Sequence, residues 1–425
     1  MTAFPNGAKR DRRAVTSPLE ARVDRGGLAT LAAGHACVDL CQGAVPALLP
    51  FLIAERGLSL TAAAALITAS TIGSSLVQPL FGLWSDRLGS PVLLPAGVAI
   101  GSIGIGVAGL VPSYGLLAAA LVLGGLGVAA FHPEGARYAS LVSGGQRSHG
   151  MSYFAVGGNA GFALGPALVT PVVATLGLGA TPLLALPGLT VSILLLARLG
   201  RLRELARAAA PTSLVREATQ SADAWGPFSL LVGAAVSRTT AFFALQAFVP
   251  VFFIRELGAS TTTAGLALTA MLVAGALGTL FGGHWADRIG RRRLLVGAMI
   301  PLVPLLALLP HVGLPAAYVV LAGIGFAVDS PFSTTIVLGQ DYLPRNAALS
   351  SGITYGLAIG LGGVAAAALG ALADATSTRA VLEGLPILAL AAGLLAASLP
   401  STPAPKPLTP EPAVAESACG PCVRR

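Results

Sequence analysis

Long apolar runs, separated by short polar segments, follow one another along most of this chain. Stretches free of Asp, Glu, Lys and Arg cover residues 57–85, 88–133, 148–197, 257–286, 294–328 and 346–373. A helix that crosses the bilayer core needs about 20 mainly apolar residues, so three of these stretches are long enough for two crossings each. Together with crossings that begin near Leu28, Pro227 and Ala380, the pattern predicts twelve membrane-spanning helices.

The positive charges predict the orientation of these spans. If both ends of the chain are cytoplasmic, 22 of the 26 Lys and Arg residues lie on the cytoplasmic side. Only Arg56, Arg255 and Arg379 then lie outside, and Arg238 lies within a span. This distribution satisfies the positive-inside rule. The net charge of +8 therefore reflects topology and does not indicate a nucleic-acid partner.

Composition excludes a soluble enzyme. Charged residues make up 10% of the chain, against about 25% in a soluble globular protein, and apolar residues make up 54%. A membrane enzyme or receptor stays open as a hypothesis of another class, but the chain has no nucleophile elbow, metal-ligand array or phosphate loop. We therefore expect no enzymatic activity, no cofactor and no bound metal.

An internal repeat divides the spans into two halves. Asp86 and Asp287 lie in similar segments 201 positions apart, and Pro50 and Pro250 lie 200 apart. Two related bundles place a substrate site at their interface near mid-membrane, where rocking of one bundle against the other gives alternating access. The predicted fold is all-α, with twelve transmembrane helices in two pseudo-symmetric six-helix bundles. The expected domains are a disordered cytoplasmic leader, a first bundle, a cytoplasmic linker, a second bundle and a disordered cytoplasmic tail, at residues 1–27, 28–199, 200–226, 227–400 and 401–425.

The repeated segments carry a candidate gating motif. Its residues are Gly82, Asp86, Arg87 and Gly89 in the first copy, and Gly283, Asp287, Arg288, Gly290 and Arg291 in the second. Gly-x-x-x-Asp-Arg-x-Gly after the second span resembles the signature of the major facilitator superfamily. The first copy departs from it, with Ser90 and Pro91 where basic residues are usual. Each aspartate can cap a helix or pair with arginine across the cytoplasmic seam; a plain turn anchor is the alternative.

The first span contains a polar stripe. His35, Asp39 and Gln42 are spaced i, i+4, i+7 and share one helix face. Asp39 lies ~16 Å into the membrane if the helix begins near Leu28 and rises ~1.5 Å per residue. Charged residues at such depth usually mark pathways, so Asp39 is a candidate proton carrier with His35 as its relay. A structural ion pair between Asp39 and Arg238 is the alternative.

Prolines mark the fourth and tenth spans at matching depths. His132-Pro133-Glu134 and Asp329-Ser330-Pro331 predict two broken helices, which place the cavity among spans 1, 4, 7 and 10. Glu134 could also simply pair with Arg137. The predicted proton-coupling residues are Asp39, His35, His132 and Glu134, and the predicted cavity residues are Gln42, Asn159, Arg238, Gln246 and Asp329.

Two further resemblances bear on function. Gly161-x-x-x-Gly165-Pro166 on the fifth span resembles the core of the antiporter signature of drug–proton exporters, although Leu121 stands where that subgroup has an arginine. The first half also resembles the bacterial fosmidomycin-resistance family of inner-membrane exporters. The motifs that carry this resemblance are His35-x-x-x-Asp39, Ser74-Ser75-Leu76-Val77-Gln78-Pro79, Gly127-x-x-x-Phe131-His132-Pro133-Glu134, Ser143-Gly144-Gly145 and Val156-Gly157-Gly158-Asn159.

These resemblances imply a proton-coupled antiporter that exports a small toxic compound and confers antibiotic resistance. Its partners would be a small-molecule substrate, protons and the lipid bilayer, with no nucleic acid, and it would be a monomer. Its expected location is the bacterial inner membrane, crossed many times, with both termini in the cytoplasm.

Four cysteines support a second cargo. They form the pairs Cys37-x-x-x-Cys41 in the first span and Cys419-Gly-Pro-Cys422 in the tail. Soft thiol pairs favour soft metals and metalloids, so efflux of arsenite or another trivalent metalloid is the alternative function. On an ideal helix, however, Cys37 and Cys41 are rotated away from His35 and Asp39, which favours a packing role for the membrane pair.

Overall fold

The computed structural model describes residues 23–88, 91–209 and 222–400. The predicted leader and tail, with Cys419 and Cys422, lie almost wholly outside the described residues, as do part of the predicted linker and Gly89. The assignment of the domain boundaries stays a prediction. Within the described part, the linker contains one helix, Leu199–Ala209.

The described residues contain twelve apolar helical spans, as the hydrophobic pattern predicted. Eleven are long and apolar enough to cross a membrane, and the third span is shorter. The first six spans are Arg25–Arg56, Leu60–Thr71 continuing through Ile72–Leu76 and Gln78–Leu88, Leu93–Ala108, Tyr114–Val142, Arg147–Leu176 and Pro182–Ala197. The last six are Trp225–Arg255, Thr261–Ile289, Arg291–Leu308, Leu314–Asp329 with Phe332–Tyr342, Ala347–Ser351 continuing through Gly352–Leu357 and Ala358–Ala375, and Thr378–Ala397.

The repeat extends to the helix ends. Gly57 and Gly258, 201 positions apart, both adopt positive φ, 63° and 66°, after the first and seventh spans. Ser59 and Ser260 then cap the second and eighth spans, where each hydroxyl accepts a backbone N–H at 3.1 Å. Glycine tolerates positive φ and serine satisfies the free N–H groups of a helix start, so the same local code starts the same element in both halves.

Small residues set the packing inside the first half. A Cβ atom at Gly161 or Gly165 of the fifth span would overlap the backbone of the first span at Ala36 and Gly43. The antiporter-like glycines therefore act here as a close-approach surface, as small-xxx-small spacing allows in membranes.

The prediction of two proline-broken helices is half wrong. The tenth span breaks at Ser330 and Pro331, as predicted. The fourth span continues as α-helix through Pro133 to Val142. A proline removes one N–H donor, and the packed neighbours of a membrane helix can accommodate that loss without ending the helix.

Close backbone contacts between the halves occur where the second span meets the eleventh and where the fifth meets the eighth. A Cβ atom at Gly82 would lie 2.5 Å from the Ala348 carbonyl oxygen, and one at Gly283 would lie 2.5 Å from that of Ser148. The motif glycines thus allow backbone contact between the halves. Large apolar side chains are exposed on the outer faces, as expected of a surface that faces lipid; examples are Ile193, Ile300, Val319, Val364 and Ile387.

Candidate functional site

A buried cluster of three polar side chains lies in the first half, between the first and fourth spans. The Nε2 atom of His132 lies 3.1 Å from Asp39 Oδ1, and the Nε2 atom of His35 lies 3.2 Å from Asp39 Oδ2. All three residues are at most 7% exposed. We call His35, Asp39 and His132 the triad. The sequence predicted all three as proton-coupling residues, and the structure brings them together.

Neighbouring groups orient both imidazoles of the triad. His35 Nδ1 donates to the carbonyl oxygen of Phe154 at 2.6 Å, and the two rings stack at 4.2 Å. The Gln78 side-chain nitrogen lies 3.3 Å from His132 Nδ1. A Cβ atom at Gly158 would overlap His35 and Asp39, so the fifth span can approach the triad only with glycine there.

These contacts determine where protons can lie. A carbonyl oxygen only accepts, so His35 Nδ1 carries a hydrogen, and Nε2 of the neutral ring has a free lone pair. That lone pair lies 3.2 Å from an oxygen of Asp39, a repulsive contact when the carboxylate is ionised. A proton placed on either atom removes the repulsion. In this geometry, one proton shared by the two atoms is favourable.

The nitrogen and oxygen atoms of the triad lie as close together as the donor atoms of a metal site. Those of His35, Asp39 and His132 are all within 4.8 Å of one another. Sequence reasoning did not predict this closeness, because the two histidines are 97 positions apart and match no local metal-binding spacing. Each of these side chains contacts another member of the triad, so we assign no metal to them.

A second buried site lies in the other half, between the seventh and tenth spans. Arg238 Nη1 lies 3.4 Å from Asp329 Oδ1 and donates to the Val328 carbonyl oxygen at 3.0 Å. The guanidinium lies over the ring of Phe332 at 5.5 Å. The alternative pairing of Asp39 with Arg238 is wrong, because each charge has a partner within its own half.

Tyr355 links the two sites, and sequence reasoning missed it. Its hydroxyl lies 2.8 Å from His35 Nε2, although Tyr355 belongs to the eleventh span. Its ring stacks on His132 at 4.7 Å and meets Phe332 at 5.5 Å. The only sequence signal was a tyrosine among the glycines of an apolar span.

The other predicted site residues lie apart from the triad. Gln42 lines a small cavity with Cys41 and Ser70 inside the first half. Asn159 lies on an exposed face of the fifth span, and Gln246 is half-buried on the seventh.

Glu134 is an ion-pair residue. Both of its carboxylate oxygens accept from Arg137, at 3.1 and 3.3 Å. This is the i, i+3 pairing that the sequence left open as an alternative to proton coupling.

The motif aspartates lie at the end of the molecule where the described residues begin, at Val23, and end, at Pro400. Asp86 accepts from the backbone N–H groups of Ala348 and Leu349 at 3.0 and 2.9 Å. Asp287 accepts from those of Ser148 and His149 at 3.2 and 2.9 Å. Each aspartate therefore caps the start of a span in the opposite half. Their gating role stays a prediction.

Arginine adds a second layer to these caps. Arg291 bonds Asp341 at 2.8 Å and Ser148 at 3.1 Å, and lies 3.6 Å from Asp287. Arg147 of the first half also pairs with Asp341. Arg87 and Arg288 are exposed, and Gly290 ends the eighth span with φ 98°. We call the caps and ion pairs at this end the seam; they hold the halves together there.

The membrane cysteines point into the first half. Cys41 donates a long hydrogen bond to Ser102 of the third span, with sulfur and oxygen 4.0 Å apart. Cys37 is buried near Gly188 of the sixth span. Cys41 therefore faces the third span and Cys37 faces the sixth, both within the first half.

These features define a helical membrane transporter with two six-helix halves, a polar site in each half and one end closed. The sequence shows to which transporter family the chain belongs. The profile of the Major Facilitator Superfamily matches residues 31–348 and 230–420, and this chain belongs to that family. The predicted resemblance is confirmed.

Individual relatives agree with this assignment. The chain is 32% identical to the fosmidomycin resistance protein of Escherichia coli (strain K12), over 91% of this chain and 96% of that one. It is 34% identical to the uncharacterized MFS-type transporter YfnC of Bacillus subtilis (strain 168), over 86% and 91%. Among solved structures, the transporter FucP in its outward conformation has a TM-score of 0.67 at 16% identity, over 88% of this chain and 99% of that one. That likeness shows the fold.

Proposed function

We propose that this protein is a proton-coupled exporter of small toxic compounds in a bacterial inner membrane. The observation that carries the proposal is the buried triad, in which an imidazole lone pair and a carboxylate oxygen lie 3.2 Å apart and can share one proton. The name of the Escherichia coli relative supports efflux and gives a first compound to test. The positive charges support cytoplasmic termini.

We assign the closed seam to one step of the proposed transport cycle. With cytoplasmic termini, the seam closes the cytoplasmic end, and the triad is reached from outside. A proton from outside then binds the triad, the seam opens, and the proton leaves to the cytoplasm as substrate enters. Return to the closed seam carries the substrate out. Arg238 and Asp329 lie at matching depth on the other half and would contact the substrate during this exchange.

Liposomes that contain the purified protein test proton coupling. We expect fosmidomycin to accumulate in liposomes with an acidic lumen faster than without a pH gradient. Asp39→Asn should abolish that excess, because an amide cannot exchange the proton. Asp374→Asn, at an exposed position near the end of the eleventh span, makes the same chemical change and should keep the excess. Undiminished gradient-driven uptake by Asp39→Asn would exclude Asp39 as the carrier.

A further inference from the structure

Tyr355 is the side chain through which the second half touches the triad. Its hydroxyl meets His35 Nε2 at 2.8 Å, and its ring covers His132 at 4.7 Å. Tyr355 is buried, so both contacts exclude water. When the seam opens and the halves part, these contacts must break, since Tyr355 moves with the second half.

The backbone around Tyr355 is unusual. Residues Gly352–Leu357 form a π-helical segment, a geometry that occurs often at functional sites. Gly352 and Gly356 on either side of Tyr355 press on Gln78 of the second span, where a Cβ atom at Gly356 would overlap the Gln78 amide. Gln78 in turn contacts His132. The eleventh span therefore reaches both histidines directly through Tyr355, and it reaches His132 also through Gln78.

The titratable groups around Tyr355 belong mostly to the first half. His35 and Asp39 face it from the first span, and His132 faces it from the fourth. From the second half, Phe332 of the tenth span lies between Tyr355 and Arg238. A change in protonation that reaches Tyr355 directly must therefore come from the triad.

His35 Nε2 has one lone pair, for which the Tyr355 hydroxyl hydrogen and an incoming proton compete. Because Nδ1 donates to Phe154, the neutral ring accepts the Tyr355 hydroxyl hydrogen at Nε2. An incoming proton takes the same lone pair, whether it binds Nε2 itself or binds Asp39 and is donated from there. Either placement displaces the hydroxyl hydrogen of Tyr355.

We propose that Tyr355 is a positioning residue whose hydroxyl competes with the transported proton for His35 Nε2, so that proton uptake loosens the closed seam. By reciprocity, closure of the seam lowers the affinity of the triad for the proton. This inference builds on the proposed proton coupling and names the residue that connects it to the movement of the halves.

Distance measurements across the seam test this competition. Spin labels at Arg203 on the linker helix and Arg293 at the start of the ninth span, both exposed, report the separation of the halves when the native cysteines are replaced. In the otherwise wild-type protein we expect the open population to grow as pH falls. In Tyr355→Phe we expect the ratio of closed to open protein to fall about fivefold at high pH, the effect of one net hydrogen bond. We also expect its response to pH to disappear.

A matched variant separates this role from a general loss of a hydroxyl. Tyr318→Phe removes a hydroxyl that donates to Thr263 within the second half, and it should keep both the ratio and the pH response. A Tyr355→Phe protein with the wild-type ratio and pH response would overturn the inference, as would a wild-type seam that ignores pH. Neither result touches the Asp39→Asn uptake experiment. Conversely, a pH-sensitive seam that Tyr355→Phe uncouples would support the inference even if uptake ignored the pH gradient.

Discussion

The two halves place their buried polar sites at nearly the same positions of the repeat but exchange the charges. Asp39 and Arg238 are 199 positions apart, and His132 and Asp329 are 197 apart. In the first half the acid comes from the earlier span and the base from the later one, and in the second half the order is reversed. One base is histidine, a residue type that occurs in neutral and charged forms, and the other is arginine, which stays charged. Duplication has thus preserved the place of the site while its chemistry diverged.

The largest expected effect comes from breaking the permanent pair. Arg238→Gln leaves Asp329 buried without a charged partner, and removal of one member of a buried pair costs about 3–5 kcal/mol. His132→Gln at the equivalent place keeps a hydrogen-bonding amide beside Asp39 and should cost about 1–3 kcal/mol. Thermal unfolding of both variants in the same detergent measures the difference. Equal losses would mean that the two sites are energetically alike.

A smaller effect should separate the two seam caps. Asp86→Ala and Asp287→Ala each remove a helix cap, which costs about 1 kcal/mol. Asp287→Ala also takes a partner from Arg291, so it should open the seam further than Asp86→Ala. The spin-label pair at Arg203 and Arg293 reports both. A larger opening by Asp86→Ala would show that Arg291 contributes nothing to the cap.

The smallest effect should come from giving the first span the residues of its counterpart. Val236 and Thr240 stand 199 positions after Cys37 and Cys41. Because these thiols pack inside the first half, we expect Cys37→Val with Cys41→Thr to change stability by less than about 1.5 kcal/mol. We also expect growth on arsenite to stay unchanged. A loss of arsenite resistance would instead support the metalloid alternative.

Much of the fold followed from local sequence features. The twelve spans and the repeat could be predicted because crossing a membrane demands about 20 apolar residues and because Asp86 and Asp287 mark the period. The stripe of His35 and Asp39 followed from helical spacing. Gln42 shares that face, but it lines a small cavity whose lining does not include the triad.

The pairing of the site depended on tertiary contacts. The sequence offered Arg238 as an ion-pair partner of Asp39, and only the packing of the first span against the fourth brings His132 to Asp39 instead. The contact of Tyr355 with the triad could not be predicted, because Tyr355 belongs to the opposite half and lies 320 positions from His35. At Pro133 the local signal was misleading. The proline predicted a helix break, but the packed neighbours of the fourth span keep it helical through this position.

The crossed caps of the seam bear on how such a chain arises. Asp86 caps the span that starts near Ala348, and Asp287 caps the one that starts near Ser148, so the same contact occurs twice with the roles exchanged. An isologous dimer has this arrangement, in which residue i of one copy meets residue j of the other and the reverse. A single six-helix ancestor with one such aspartate and one such helix start could therefore pair with its own copy before gene fusion. The seam thus has the geometry of an isologous homodimer interface within one polypeptide.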